Sequence, residues 1–328
     1  MFLGKVGRAA LFVLGLWAWG TSGVQAQANA PATAFAAQVQ PDALAIAQFV
    51  NAPFSRSMGF ITGLGWNTPP GVFDILSGPR VEVGVGLAAD LMNIPSLSTL
   101  SLPALSANTN VNIPSVLPFP VPVATARIGL RNGLDLGLRL AYLPLVALPD
   151  VGFSANFVGW GLDLRYKIIE GTYLPTVAVG VSWDTFSGSL SLSTNVNQSS
   201  TYTYSGSPYS ATLAGTTGYN LNWNTKSFGA QVQVGKDLGI LYPFGAIGFQ
   251  RNSGGITSSL TGNGTVTMSD SPADTAPINF TASTTSAPEV FEPKFVLGID
   301  IGQGLHWAVV GESNGVDISA STSFRAQF

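Results

Sequence analysis

Six ionisable residues sit at even spacings inside otherwise apolar segments: Arg127, Asp135 and Arg139 in "ATARIGLRNGLDLGLRLAYLP", and Asp163, Arg165 and Lys167 in "GWGLDLRYKI". Groups of this kind, held together away from bulk water, can select ions by charge, bind an anionic solute, or pair with one another to fill an interior. Conventional catalysis has less to work with. The chain has one His and no Cys, and the sole His, His306, directly follows the tight "GQG" turn. As a general base it would need a nucleophile within hydrogen-bond reach, so it reads as a hydrogen-bonded interior or rim residue. A single His without Cys offers no metal-ligand spacing. Asp270 and Asp274, in "SDSPAD", read as solvated loop residues with at most weak Ca²⁺ affinity. Gly84-Val85-Gly86 reads as strand, because no helix start follows it. The expectation is a non-enzyme without metal or cofactor.

Period two positions these charges. Strand side chains alternate between faces, which puts Ala124, Ala126, Ile128 and Leu130 on one side and Arg127 on the other. Beyond the turn, Leu134, Leu136, Leu138, Leu140 and Tyr142 are opposed by Asp135 and Arg139. A two-residue Asn132-Gly133 turn would mix the faces. A three-residue loop, Arg131-Asn132-Gly133, with Gly133 in the left-handed position, pairs Ile128 with Leu136 and Ala126 with Leu138 and keeps every apolar residue on one side. In that register Arg127 lies diagonally near Asp135.

The same alternation recurs in Val81 to Leu91, Val158 to Ile168, Val177 to Trp183, and Val316 to the terminal Phe328. Strands of about ten residues, apolar on one face and small or polar on the other, are the signature of a transmembrane barrel. Aromatics cluster toward strand ends: Tyr142, Trp160 and Trp183 at one rim; Tyr166, Trp307 and Phe328 at the other. Two such belts are expected where a barrel meets the two membrane interfaces.

Composition agrees. The 328 residues are 46% hydrophobic but only 9% charged, against about 25% charged in ordinary soluble domains. The one long apolar run, "AALFVLGLWAWG" (9–20), is shorter than a spanning helix. It follows Lys5 and Arg8 and precedes a small-residue site at Ala26 and Ala28, so residues 1–28 read as an export signal. Its loss lowers the Lys and Arg total from 14 to 12 against 17 Asp and Glu, a negative balance that excludes a nucleic-acid partner.

Tight connections are expected at 131–133, 168–173, 236–240 and 302–304, and long loops at 93–120, about 186–217 and about 252–289. The fold class is therefore all-β: a transmembrane antiparallel barrel (79–328) of about ten strands, with twelve as the alternative. The strands begin near Arg80, Val121, Leu134, Ser154, Pro175, Gly218, Tyr242, Val290, Leu305 and Val316. Tight turns belong on the periplasmic side. Residues 29–78 form a helical or plug segment inside the barrel or at its periplasmic mouth, with a helix starting at Pro41-Asp42. The uncharged stretch 185–225 reads as an ordinary solvated loop, with strand extension or a neutral hydrogen-bonding surface as the alternatives.

"GLGWNT" (63–68), Phe73-Asp74, "PSVLPFPVPVATARIGLRNG" and "GWGLDLRYKI" together resemble a poorly characterised family of Gram-negative outer-membrane barrels in which a helix and a Gly-Trp-Asn-Thr segment precede the barrel. A segment ahead of a barrel is also similar in architecture to the long-chain fatty-acid transporters, whose Asn-Pro-Ala signature is absent here. A final strand with Phe324 and Phe328 resembles the C-terminal signal read by the barrel-assembly machinery. These resemblances imply a bacterial outer-membrane location, lipid and assembly machinery as partners, and either a small porin-like channel or solute-binding transporter, or a non-conducting barrel that works through its outer loops.

Overall fold

The computed structural model describes residues 30–63, 80–93, 116–130, 133–170, 173–269 and 274–328. The expected export signal (1–28), the Gly-Trp-Asn-Thr segment (65–68), Phe73-Asp74, the turn residues Arg131 and Asn132, and Asp270 lie outside them. One helix, α1 (Ala30–Thr62), precedes the strands. These are β1 (Arg80–Asn93), β2 (Val116–Leu130), β3 (Leu134–Leu148), β4 (Phe153–Ile169), β5 (Thr176–Tyr204), β6 (Ser207–Gly235), β7 (Leu241–Met268), β8 (Asp274–Ser286), β9 (Phe291–Gln303), β10 (Leu305–Ser313) and β11 (Ile318–Gln327). All pairings are antiparallel. The sheet closes on itself: β6 pairs with β7, and β11 pairs back onto β1.

The β2–β3 register has Ile128 opposite Leu136, Ala126 opposite Leu138 and Thr125 opposite Arg139. Gly133 takes φ 77°, the conformation the three-residue loop demands. Keeping the apolar row on one face decides this register, since a slip of one residue would turn Leu136 and Leu138 inward and Arg139 outward.

The strand count departs from ten: eleven strands lie among the described residues. The stretches expected as loops at 186–217 and 252–289 are largely strand, with β5 and β6 running 29 residues each and β7 28. β8 is the addition. It pairs with Ile256–Met268 of β7, while β9 pairs with Leu241–Arg251 of the same strand. Ser, Thr and Asn on the outward face made these segments look like loops, but their other face buries Leu213, Leu221, Leu260, Val266, Ile278 and Phe280. The β5–β6 hairpin closes at Ser205 (φ 47°) and Gly206 (φ 101°), the paired positive φ angles of a two-residue turn matched to strand twist. β2 likewise begins at Val116, five residues before Val121.

Outside, an apolar belt encircles the end of the barrel that carries the tight turns. Leu136, Leu138, Leu140, Leu162, Leu164 and Leu297 all point outward and are exposed. On the long strands the belt stops abruptly. Val177, Val179, Val181 and Trp183 give way to Thr185; Val234, Val232 and Phe228 to Lys226; Ile247 and Phe249 to Arg251. Trp183 pairs with Phe228 and Thr185 with Lys226, so the change falls at one level on adjacent strands. Aromatics mark that edge: Trp160 meets Trp183 edge-on at 4.9 Å, and Phe249 stacks on Phe291 at 5.2 Å. At the tight-turn end Tyr166 and Phe328 are exposed, and Trp307 stacks on Phe324 at 6.3 Å. Tyr142 is exposed on β3, beside the upper aromatics.

The interior has two zones. Beyond the belt, α1 lies against the inner faces of β8 and β7 with a stripe of Phe35, Val39, Ala43, Ile46, Val50, Phe54 and Met58. The steps of three and four residues keep that stripe on one helix face. The expected start at Pro41 is wrong: α1 begins at Ala30 and carries Pro41 and Pro53 inside it. Helix-interior Pro costs about 3 kcal/mol, while each large apolar side chain fully buried returns about 1.5–3 kcal/mol, and the stripe outnumbers the prolines. The second zone, within the belt, is polar.

Candidate functional site

Inward parity brings the sequence-derived charges together. Arg127, Asp135, Arg139, Asp163, Arg165 and Lys167 are all at most 5% exposed. Arg127 (β2) does not favour Asp135. It grips Asp163 of β4 with two hydrogen bonds of 3.1 Å, and Arg165 Nε donates to the same carboxylate at 2.8 Å. The reach across β3 is possible because residue 137 is Gly, where a Cβ would fall 1.8 Å from Asp163 Oδ1. The shared fork geometry of guanidinium and carboxylate makes this the stronger pairing. Lys167 Nζ lies 2.6 Å from Glu170 at the tight-turn rim.

Further charged residues belong to the same interior; alternation already turns Glu82, His306 and Arg325 inward, but it does not show which partners they take. Arg325 (β11) bridges Glu82 of β1 at 3.1 Å and Asp300 of β9 at 2.6 Å. Asp300 also meets His306 Nδ1 at 3.0 Å, which occupies the histidine in an ion-pair cluster at the tight-turn end. Higher up, Arg139 pairs with Asp184 at 2.8 Å and Lys294 with Glu312 at 3.0 Å. Glu292 accepts hydrogen bonds from Gln250, Asn252 and Asn314. Each of these positions has the inward parity of its strand, a signal available in the sequence wherever the strand itself was recognised. Among the described residues no group of three or more His, Cys, Asp or Glu is arranged to hold a metal ion.

The centre of the site is the way α1 is held at both ends. A helix leaves unpaired N–H groups and a partial positive charge at its start, and unpaired carbonyls and a partial negative charge at its end. α1 has no acidic residue in its first turn and no basic residue in its last. The barrel wall supplies both. At the start, Ala32 N–H donates to Asp274 Oδ2 of β8 at 3.1 Å. Asp274 is thus a buried capping residue, not the solvated loop residue expected. At the end, Arg139 donates to the Thr62 carbonyl, and Lys294 donates to the Gly63 carbonyl at 2.9 Å. Thr62 Oγ1 adds a 2.8 Å contact with Thr225.

The helix end therefore rests on the charge network. Beneath it remains a cavity of about 20 Å³ bordered by Gly63, Asp163, Arg165, Gln231, Gln250 and Lys294, room for one water molecule. Small residues are required at the seat itself: a Cβ on Gly59 would lie 2.3 Å from Asn252 Nδ2 and 2.9 Å from Glu292 Oε2.

A family model described as "Family of unknown function (DUF6588)" matches residues 102–291. No curated protein matches the chain. Among solved structures, the translocator domain of the autotransporter NalP from Neisseria meningitidis is 11% identical over 85% of this chain and 97% of that one, with a TM-score of 0.32. A Pseudomonas aeruginosa FadL homologue is 10% identical over 84% and 97%, with a TM-score of 0.27. The Ralstonia pickettii toluene transporter TbuX is 10% identical over 79% and 92%, with a TM-score of 0.22. Likeness this slight carries no argument.

Proposed function

The chain belongs to the family of unknown function DUF6588, and from that premise we propose that it is an exported outer-membrane barrel in which α1 is a plug whose withdrawal admits a small solute. The observation that carries this reading is the belt. A soluble protein rarely exposes contiguous apolar patches of more than a few hundred Å², whereas here outward-facing Val, Leu, Ile, Phe and Trp run round the closed sheet and, on the adjacent β5 and β6, end at one level in Thr185 and Lys226. Hydrocarbon in contact with that band, and water or headgroups above it, account for both the composition and the edge. Tight turns then face the periplasm. Phe324 and Phe328, outward on the last strand and exposed, suit recognition by the assembly machinery.

Transport rests on the plug. α1 ends on polar contacts from Arg139, Lys294 and Thr225, which water or a solute can replace when the helix moves. Arg127, Arg139, Arg165 and Lys167 would then line the opened path and bias it by charge. A second reading has its own support: the ion pairs and α1 fill the lumen, as suits a non-conducting barrel acting through the tall β5–β8 wall. Planar-bilayer recording of the detergent-purified chain separates the two. Infrequent openings are expected from the native protein and frequent ones once the plug is unseated; silence from both would reject transport.

The membrane assignment has a separate test. Leu138→Arg, mid-belt on β3, should cost about 2–4 kcal/mol of folding stability in lipid, as charges near the bilayer midplane do. Thr216→Arg, outward on β6 beyond the belt edge, should be neutral. Comparing the folded, heat-modifiable fraction of each variant in liposomes decides it, and equal behaviour of the two would count against a lipid-facing belt.

A further inference from the structure

α1 has a direction, and the wall fixes it. Its first turn lies at the far end of the long hairpins, where Ala32 meets Asp274 and Phe35 packs edge-on against Tyr202 at 5.1 Å, three residues from the Ser205–Gly206 tip. Its last turn lies within the belt, on Arg139 and Lys294. The chain then reaches β1 at Arg80, whose neighbour Val81 exchanges hydrogen bonds with Phe328 at the tight-turn end. Reversing the helix would put its positive end on two cations and its negative end on a carboxylate, so the electrostatics of the wall specify the observed polarity.

We infer that the long-hairpin mouth opens to the outside, so that the barrel presents the start of α1 on the outer side of the membrane. The inference rests on the membrane reading above, which assigns the tight turns to the periplasm. Residues Thr33, Ala37, Gln40, Leu44 and Gln48 form an exposed stripe along the same stretch of helix. They make this mouth a surface that outside molecules can reach.

The absence of cysteine in the native sequence makes the test clean. Single cysteines are introduced by Thr33→Cys at the start of α1, Ser205→Cys at the hairpin tip and Gln303→Cys at a tight turn, all exposed positions. Intact cells are treated with a bulky, membrane-impermeant polyethylene-glycol maleimide, and the heat-modifiable band confirms folding of each variant. As a second marker, a short hydrophilic epitope is inserted between Ala28 and Asn29 and read with antibody on intact cells. Thr33→Cys should label as readily as Ser205→Cys and about tenfold faster than Gln303→Cys, which should react fully only after the outer membrane is permeabilised. If Ser205→Cys labels on intact cells while Thr33→Cys and the epitope stay silent until permeabilisation, the inference is overturned and the membrane reading stands. If Gln303→Cys labels and Ser205→Cys does not, the orientation itself fails and takes the inference with it.

Discussion

Gly59→Phe should convert a barrel that rarely conducts into one that conducts often. Gly59 is fully enclosed where α1 enters the polar zone, and even a methyl group there would meet Asn252 and Glu292 at less than 3 Å. Glu292 has little freedom to retreat, because Gln250, Asn252 and Asn314 all donate to it. A phenyl ring leaves the helix end one escape, out of its seat toward the hairpin mouth, which separates the Thr62 and Gly63 carbonyls from Arg139 and Lys294. Hydrogen bonds to charged groups are worth about 1.5–3 kcal/mol each. Losing the advantage of two raises the unplugged population on the order of a hundredfold or more. No wall residue is altered, so the barrel should stay folded and heat-modifiable in detergent. Single-channel recording would show frequent openings where the native chain shows few, and Gly59→Ala should fall between them. A folded Gly59→Phe protein as silent as the native one would mean that α1 is a permanent part of the core and not a plug.

The parts of this arrangement that the sequence disclosed are those governed by alternation alone. The β2–β3 register followed from keeping Leu136 and Leu138 beside Ile128 and Ala126, and the inward placement of Arg139 and Asp163 followed from the same rule. Alternation fails where both faces look polar or small. The outward Ser187, Ser189 and Ser191 hid the upper half of β5, and Thr275, Asn279 and Thr281 hid β8 altogether, although Ile278 and Phe280 alternate with them. Period two also says which side a charge faces but not which partner it takes. Arg127 reaches straight over β3 to Asp163 because Gly137, which stands between them in the same register row, leaves the space. The caps of α1 were less accessible still. Asp274 and Lys294 lie 242 and 231 residues from the backbone groups they serve, and nothing local to the helix announces them. Nor did Pro41, a sound local signal for a helix start, outweigh the apolar contacts of Phe35 and Val39 ahead of it.

Arg325→Leu should be the most destabilising single change in the polar zone, because of where its partners lie. β11 pairs with β1 to close the sheet, joining residues at opposite ends of the chain, and the entropic cost of that closure must be met by contacts formed at the seam. Arg325 links both sides of it, holding Glu82 on β1 and, across β10, Asp300 on β9. It is 1% exposed, and Glu82 and Asp300 are 2% and 4% exposed. Leucine would leave two carboxylates enclosed without the group that bridges them, Asp300 keeping only His306 and Glu82 only Arg127, which is already committed to Asp163. Breaking a buried pair from one side costs about 3–5 kcal/mol, whereas replacing every charged member by neutral groups can be nearly free. The triple variant Arg325→Leu, Glu82→Gln, Asp300→Asn should therefore regain most of what the single variant loses. Urea unfolding in micelles, followed through the heat-modifiable band, reads both. Equal loss in the single and triple variants would show that Arg325 stabilises the seam through packing on Gly84 and not by neutralising the two acids, and the ion-pair account of closure would have to be abandoned.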